Sequence, residues 1–428
     1  MSDRIIVVGA GAAGLMAAGR AAELGARVLV LEKQAKPGLK LGITGKGRCN
    51  ITNDSSVQDH LAHLGSQGAF MRNAYARFFA PDTITFFNTR GVSTVTERGQ
   101  RVFPASQRAL DVVAALRAYC LEHQVQFRLH SPVDALLAAN GVIHGVRVGE
   151  LTLEAAAVIL ATGGMSYPRT GSTGDGYRLA AQAGHTIVPL RPGLVPLVLR
   201  EPEASRLEGL SLRNVRATLY QGTRRLASEF GEMVFTADGV SGPIILTLSM
   251  VVADALARGP LRLQLDLKPA LEEQELDQRL QRDQVALGRA TYGTLLKGLL
   301  PRLLIEVFAL RSGIALDTHL SQFSAELRQR TLRLLKAFDW TVTATRPIDE
   351  AIITLGGVST REINPATLAS RRVAGLYLAG ELIDIAGDTG GYNLQAAFTT
   401  GYLAGESASR AIAAAHPAEC AAGECAVF

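Results

Sequence analysis

The sequence predicts an α/β protein: a Rossmann-like domain built from both chain ends, with an inserted β-barrel-like domain and a three-helix subdomain. Three observations carry that prediction. Residues 5–32, 155–183 and 376–405 each read as an apolar strand, then glycines, then a helix. Short alternating apolar runs replace that pattern from Pro189 to about Lys268. Residues 269–336 then read as three helices. The expected division is 1–190 with 345–428 for the Rossmann-like domain, 191–268 with about 337–344 for the β-rich insert, and 269–336 for the helical subdomain.

A chain of 428 residues is too long for one core of usual size, which fits such a division. With 47% hydrophobic and 19% charged residues it can bury a substantial core. No apolar run is long enough for a membrane span, and the first strand opens at residue 5, so neither a span nor a signal peptide is expected. Cys49, Cys120, Cys420 and Cys425 are scattered, and no CxxC is present. That pattern predicts a reducing, cytoplasmic setting with neither a disulfide framework nor a metal site. The net charge of +5 permits an anionic partner without requiring one.

The first element sets the site. Ile5–Val8 is a β-branched run suited to a buried parallel strand. It leads into Gly9-Ala10-Gly11-Ala12-Ala13-Gly14 and then a helix, Leu15 to Leu24, closed by Gly25. Gly9 suits the tight turn, Gly11 a close approach of backbone to pyrophosphate, and Gly14 the packing of helix on strand. The helix N-terminus adds free N–H groups and partial positive charge. A second strand, Arg27 to Leu31, ends on Glu32, eighteen residues after Gly14, where a carboxylate can accept the hydroxyls of an adenosine ribose.

Residues 33–53, KQAKPGLKLGITGKGRCNITN, hold four glycines and four lysines. Such a loop suits backbone and charge wrapped round a phosphate. Lys36, Lys40, Lys46 and Arg48 are its cations, and Lys33, Lys40, Lys46 and Arg48 are the candidates for contact with the cofactor. Gly45-Lys46-Gly47 forms the tightest part, and Cys49 and Asn50 follow. Cys49 reads equally well as a small buried residue.

Residues 57–90 read as helical, with Leu61, Leu64, Phe70, Phe78 and Phe79 on one face. A short strand at 97–102, a helix at 108–123, a strand at 125–129 and a meander over 131–148 follow, the last with Val133 at its start and an Asn140-Gly141 turn. The strand AAAVILA, 155–161, ends in Thr162-Gly163-Gly164 and places Ala161, Thr162 and Gly163 at the carboxyl edge of the sheet, where dinucleotides lie. In the insert, residues 231–246 read as a turn-rich stretch leading into a helix. Residues 279–336 carry ten Arg or Lys against four acids, after four acids in 272–277; a solvated helical face and a nucleic-acid surface both fit. The α/β pattern resumes near Ala351. A strand at 376–379 runs into Gly380-Glu381, and a glycine turn ending in Gly391-Tyr392 feeds a long helix from about Asn393-Leu394-Gln395. Its N-terminus suits the edge of a flavin where negative charge gathers on reduction. The tail after Ala415 is expected to be disordered, with no redox or metal role for Cys420 and Cys425.

This constellation suits FAD better than NAD, because Glu381 and the C-terminal glycine turn can serve a ribityl chain and a ring. No second GxGxxG stands in a separate βαβ unit, so NAD(P)H is expected only as a transient electron donor. The stretches GAGAAG with Glu32, TGKGRCNITN (44–53), RVFPASQRALDVV (101–113), LATGGMSYPRTGSTGDGY (160–177), GEMVFTADGVSGP (231–243) and GLYLAGELIDIAGDTGGYNLQAAFTTG (375–401) resemble the BaiN/RdsA family of bacterial FAD-dependent oxidoreductases, the aminoacetone oxidase-like flavoproteins. The resemblance runs from end to end. It implies a discontinuous FAD domain interrupted by a barrel-like and a three-helix part, with 44–53 and 387–395 beside the flavin. It further implies one of several substrates: aminoacetone, bile-acid intermediates, or a uridine in ribosomal RNA. Two positions depart from the family pattern, Ala237 where FTH is usual and Ala386 where Asp is usual.

Three functional expectations follow. The leading one is hydride transfer between flavin N5 and an organic substrate, with a uracil of ribosomal RNA first among the substrates. The second is an amine oxidase of the aminoacetone type using O2, and the third a non-catalytic, FAD-bound module that binds RNA or a ribosomal partner. For the reductase, Cys49 is the expected proton donor, its thiol pKa lowered by Lys46 and Arg48, with Tyr392 in reserve. Oligomeric state is not read from this sequence.

Overall fold

A computed structural model describes residues 3–415, so Cys420 and Cys425 lie outside the described residues. The chain divides into two compact units: residues up to Arg191 together with those from Ile352 onward, and Pro192–Ala351.

The first unit is organised on a five-stranded parallel sheet. Its central strand is β1 (Arg4–Val8), followed by helix α1 (Ala12–Glu23) and β2 (Arg27–Leu31). Across the sheet the order is Leu376–Leu378, Ala157–Leu160, β1, β2, Gln126–Arg128. The register sets Val7 beside Val30 on one side and Ile159 on the other, and Val158 beside Leu376. Chain order therefore runs outward in both directions from β1, which makes the carboxyl end of β1 a topological switch point. Ile5, Ile6, Val7, Val158, Ile159 and Leu160 are fully buried, as strands covered on both faces require. Each such side chain is worth roughly 1.5–3 kcal/mol in transfer from water.

One face of the sheet is covered by α1 and the C-terminal helix, Tyr392–Ala415, which pack unusually close. A Cβ on Gly401 would stand 2.3 Å from the Ala13 carbonyl oxygen, and one on Gly405 2.3 Å from that of Ala17. Both contacts advance four residues together, so the two helices run parallel. The C-terminal helix starts nine residues before Gly401, which puts its N-terminus roughly 14 Å beyond the first turn of α1 on the same end of the sheet, at 1.5 Å per residue.

The expected single helical stretch at 57–90 is broken into Val57–His63, a 3₁₀ segment Gly65–Met71, a short turn Arg72–Tyr75 and Ala80–Thr89. Gly65 is left-handed, at φ +57°, and a Cβ on Gly68 would meet the Leu61 carbonyl oxygen at 2.1 Å. The stretch expected as one strand at 97–102 is a hairpin, Thr94–Glu97 and Arg101–Pro104, turning at Gly99 and Gln100, both with positive φ.

In the second unit six strands close into a barrel in the order Leu197–Leu199, Gly239–Ser241, Arg224–Thr236, Ser211–Gln221, Leu261–Asp266, Phe338–Thr345. The expected turn at the start of 231–246 is instead the end of the long strand Arg224–Thr236; only Ala237-Asp238 turn, and the helix Pro243–Leu256 follows Gly239–Ser241. The helices Glu273–Leu287, Tyr292–Lys297, Arg302–Ser312 and Ala325–Lys336 share one core with the barrel through Leu276, Phe308, Leu335, Phe338 and Trp340. Several of their cations are already paired: Arg311 with Glu203, Arg328 with Asp277, Lys336 with Asp266.

Candidate functional site: a dinucleotide cradle at the sheet edge

The cradle begins where β1 stops. Gly9, at φ +99°, lies so close to the neighbouring strand that a Cβ would stand 2.6 Å from the Ala161 carbonyl oxygen. Gly14 is equally constrained, because its Cβ would meet the Gly9 carbonyl oxygen at 1.9 Å. Gly11 differs: nothing lies within 4 Å of the place its Cβ would take. It is the N-cap of α1, with no side-chain cap and no acid in the first turn. The N–H groups of Ala12, Ala13 and Gly14 precede the first intrahelical bond, from Leu15 to the Gly11 carbonyl at 2.9 Å. Three N–H groups without an intrahelical acceptor, and the positive end of the helix dipole, thus stand at the turn beside the open space at Gly11.

Glu32 is aimed by its own backbone surroundings. One carboxylate oxygen accepts from Ala10 N–H and the other from Gln34 N–H, each at 2.8 Å. Each oxygen keeps a further lone pair, the arrangement a ribose diol needs. The Ser131 N–H bonds the Glu32 carbonyl at 2.9 Å, and Val133, buried, follows two residues later. Lys33 does not reach for a phosphate: it is bonded to the Thr173 hydroxyl and the Asp175 carboxylate.

The loop after β2 closes the second side. Gly45, Lys46, Gly47 and Cys49 all have positive φ, so four of five consecutive residues are left-handed. Lys46 is exposed on this turn. Asn50 has a buried side-chain oxygen with no partner, and so does the hydroxyl of Thr162 on the facing strand end. Lys40 bonds Glu381 at 2.6 Å and the Ser166 hydroxyl at 2.7 Å, while Glu381 also accepts from Thr354 N–H at 2.9 Å. A Cβ on Gly164 would strike the Thr354 hydroxyl at 2.4 Å, which explains the second glycine of ATGG. Gly163 and Gly380, at φ +72° and +74°, turn the chain off the two strands, and the Gly380 N–H bonds the Thr400 hydroxyl at 2.9 Å.

At the far end Gly390 and Gly391 feed the C-terminal helix; a Cβ on Gly391 would lie 2.5 Å from the Thr52 backbone. Asn393 clasps this turn, accepting from Gly387 N–H at 2.8 Å and donating to its carbonyl at 2.7 Å. Gln395 is fully buried and bonds the Thr52 and Thr399 hydroxyls, so its side chain pins the helix to the strand below. Leu394 packs partly buried against the core.

The expectation for Cys49 is overturned. Its thiol is fully buried in the core, and burial pushes it up to about 12 rather than down. The cations beside it in sequence do not face it. Arg48 is turned onto Glu97 and Gln107 and lies over the Phe103 ring at 4.2 Å. Tyr392 is also buried, and burial raises its phenol. Its ring carries a neighbour that sequence reading missed: His63 stacks on it at 4.1 Å and 15°, with Nδ1 at 2.8 Å from an Asp388 carboxylate oxygen. The two residues of that pair are 325 positions apart, so no local signal could have joined them.

Among the described residues no group of His, Cys, Asp and Glu is arranged to hold a metal ion, and no helix is long and apolar enough to cross a membrane. The open space at Gly11, the free helix N–H groups, the aimed Glu32 and the orphaned Asn50 and Thr162 oxygens fit FAD, whose pyrophosphate and ribose they would hold.

Comparison with known proteins agrees. The HI0933-like protein Rossmann domain model matches residues 3–407. A 3-dehydro-bile acid delta(4,6)-reductase of Clostridium scindens is 34% identical over 95% of this chain and 99% of its own. A ribosomal RNA dihydrouridine synthase of Haemophilus influenzae is 31% identical over 95% of this chain and 98% of its own. In fold, the chain is similar to the 3-ketosteroid delta1-dehydrogenase of Sterolibacterium denitrificans, with a TM-score of 0.53 at 17% identity over 96% of this chain and 100% of that one. The chain belongs to the HI0933-like family, the BaiN/RdsA group of FAD-dependent oxidoreductases.

Proposed function

We propose that the protein is a reductase that saturates a carbon–carbon double bond conjugated to a carbonyl, with a uridine of ribosomal RNA as substrate and NAD(P)H as transient electron donor. The observation that carries this reading is the pair of parallel helix N-termini at one sheet edge, α1 at the open Gly11 and the C-terminal helix at Tyr392 roughly 14 Å further out. One suits a pyrophosphate and the other the edge of a ring that gains negative charge. FAD, when bound, supplies the hydride.

The chain's own residues bind and orient. Gly11 and the first N–H groups of α1 hold phosphate, Glu32 the ribose, and Lys40 with Glu381 fixes the strand ends between them. The names of both relatives describe hydrogen gained at a double bond, in a bile acid and in uridine. A basic, aromatic surface supports RNA. The barrel ribbon Ser211–Gln221 and Arg224–Thr236 exposes Arg216, Arg224 and Arg225, with Phe230 directly opposite Arg216 and 53% exposed.

Anaerobic stopped-flow mixing tests the reading. NADPH should bleach the bound flavin, and unmodified ribosomal RNA should restore its colour. Reoxidation by O2 with peroxide release on adding aminoacetone, and none by RNA, would replace it with the oxidase reading.

A further inference from the structure

We propose that His63, held by Asp388, is the acid that delivers the proton to the substrate carbon; the inference rests on the reductase reading above. Four observations point there. Asp388 grips His63 twice, its carboxylate at 2.8 Å from Nδ1 and its backbone N–H on the His63 carbonyl at 3.3 Å. A carboxylate only accepts, so Nδ1 carries the hydrogen and Nε2 is left to take up and release a proton. The ring lies flat against Tyr392, the first residue of the C-terminal helix, so the imidazole stands at the end of the cradle remote from the pyrophosphate turn. The loop carrying Asp388 is itself fixed, because Asn393 bonds the Gly387 carbonyl and N–H and reaches the Asp388 carbonyl at 3.3 Å.

The groups that could compete are occupied. Cys49 is sealed in the core. Tyr392 is buried beneath the imidazole, and Lys40 is held by Glu381 and Ser166. His60, fully buried, spends Nε2 on the Asn53 carbonyl at 2.8 Å. His63 keeps 40% of its side chain exposed. The titratable groups facing it are Asp59 and His60 on its own helix, Asp388 on the loop, and Tyr392.

The step balances. The β-carbon of the double bond gains a hydride, supplied by reduced FAD, which is oxidised by two electrons. The π pair moves toward the carbonyl as an enolate. The α-carbon then forms its C–H bond with the proton on His63 Nε2, and solvent reprotonates the imidazole. Asp388 is a positioning residue: it holds the tautomer and touches no reacting atom.

His63→Gln and Asp388→Asn test this in the FAD-loaded protein, beside nitrogen NMR of the wild-type imidazole. NMR of the unloaded wild type should show His63 protonated on Nδ1, and Asp388→Asn should abolish that preference. In His63→Gln, NADPH should bleach the flavin at the wild-type rate, while reoxidation by the unsaturated substrate falls roughly 10²–10⁴-fold, the range for a positioned acid. Substrate KM should be unchanged. An Nε2–H tautomer in the wild type, or reoxidation of His63→Gln at the wild-type rate, overturns the assignment. If His63→Gln does not fold, Asp388→Asn and the tautomer decide it. Wild-type protein that no conjugated double bond reoxidises sinks the reductase reading instead, so the two failures are distinct.

Discussion

Gly11 and Gly14 look alike in sequence, yet the structure predicts opposite consequences for an added methyl group. At Gly11 the φ is −81°, allowed to any residue, and the space beside it is open. Gly11→Ala should leave the unloaded fold intact and, by restricting the unfolded chain, stabilise it by roughly 0.4–1 kcal/mol. On the proposed reading the same methyl occupies the ground where backbone meets phosphate. Losing one or two charge-assisted hydrogen bonds of about 1.5–3 kcal/mol each weakens FAD binding at least tenfold. At Gly14 the methyl would sit 1.9 Å from the Gly9 carbonyl oxygen. Either α1 or the turn must move, a cost of roughly 1–3 kcal/mol for overpacking. Flavin-fluorescence titration of apoprotein with FAD, beside thermal melts without it, reads both quantities. Wild-type FAD affinity in Gly11→Ala would mean that no phosphate approaches this turn, and a melting point lowered as far as that of Gly14→Ala would mean that the space beside Gly11 is not open.

Other predictions use the same physics. Glu32→Ala removes the acceptor of two backbone N–H groups and, on the proposed reading, of the ribose, so FAD affinity should fall at least tenfold in the same titration. Gly405→Leu should destabilise the first unit by several kcal/mol in denaturant melts, since even its Cβ would lie 2.3 Å from the Ala17 carbonyl. In a Cys420→Ser/Cys425→Ser background, Cys49 should resist a thiol reagent in the native protein and react in denaturant; fast native labelling would contradict its burial. Its raised pKa has a definite sign in stability. The buried thiol contributes below the unfolded value near ~8.5, and that contribution is lost as pH rises toward the folded value of about 12. Melting points of wild type should therefore fall more steeply than those of Cys49→Ala on the alkaline side, and equal slopes would argue against it.

Much of this was legible in the sequence because it is local. The strand–glycine–helix unit at Ile5–Glu32 states its own geometry, and the three such units led to one parallel sheet. Gly9 and Gly14 are packed as tightly as their spacing implies, and the space at Gly11 is open. What failed is what depends on direction or distance. Lys46 and Arg48 stand just before Cys49 in sequence, but in this run of left-handed residues the thiol is buried in the core and Arg48 bonds Glu97. The hydrophobic spacing at 57–90 persisted through Gly65 and Gly68, where close backbone contact ends the helix. The His63–Asp388 pair was invisible, because neither residue sits in a pattern and only the fold joins them. Gln395, beside the glycine turn, read as a cofactor contact; its side chain is spent on Thr52 and Thr399.

Reduction of a conjugated double bond in uridine would register in a mass analysis of nucleosides from ribosomal RNA. RNA from cells lacking this protein would be compared with RNA from the same cells given it back. In the deletion strain a uridine of the ribosomal RNA should lack two hydrogens, and it should regain them, as dihydrouridine, when the protein returns. An identical nucleoside profile with and without the protein would contradict the proposed reduction.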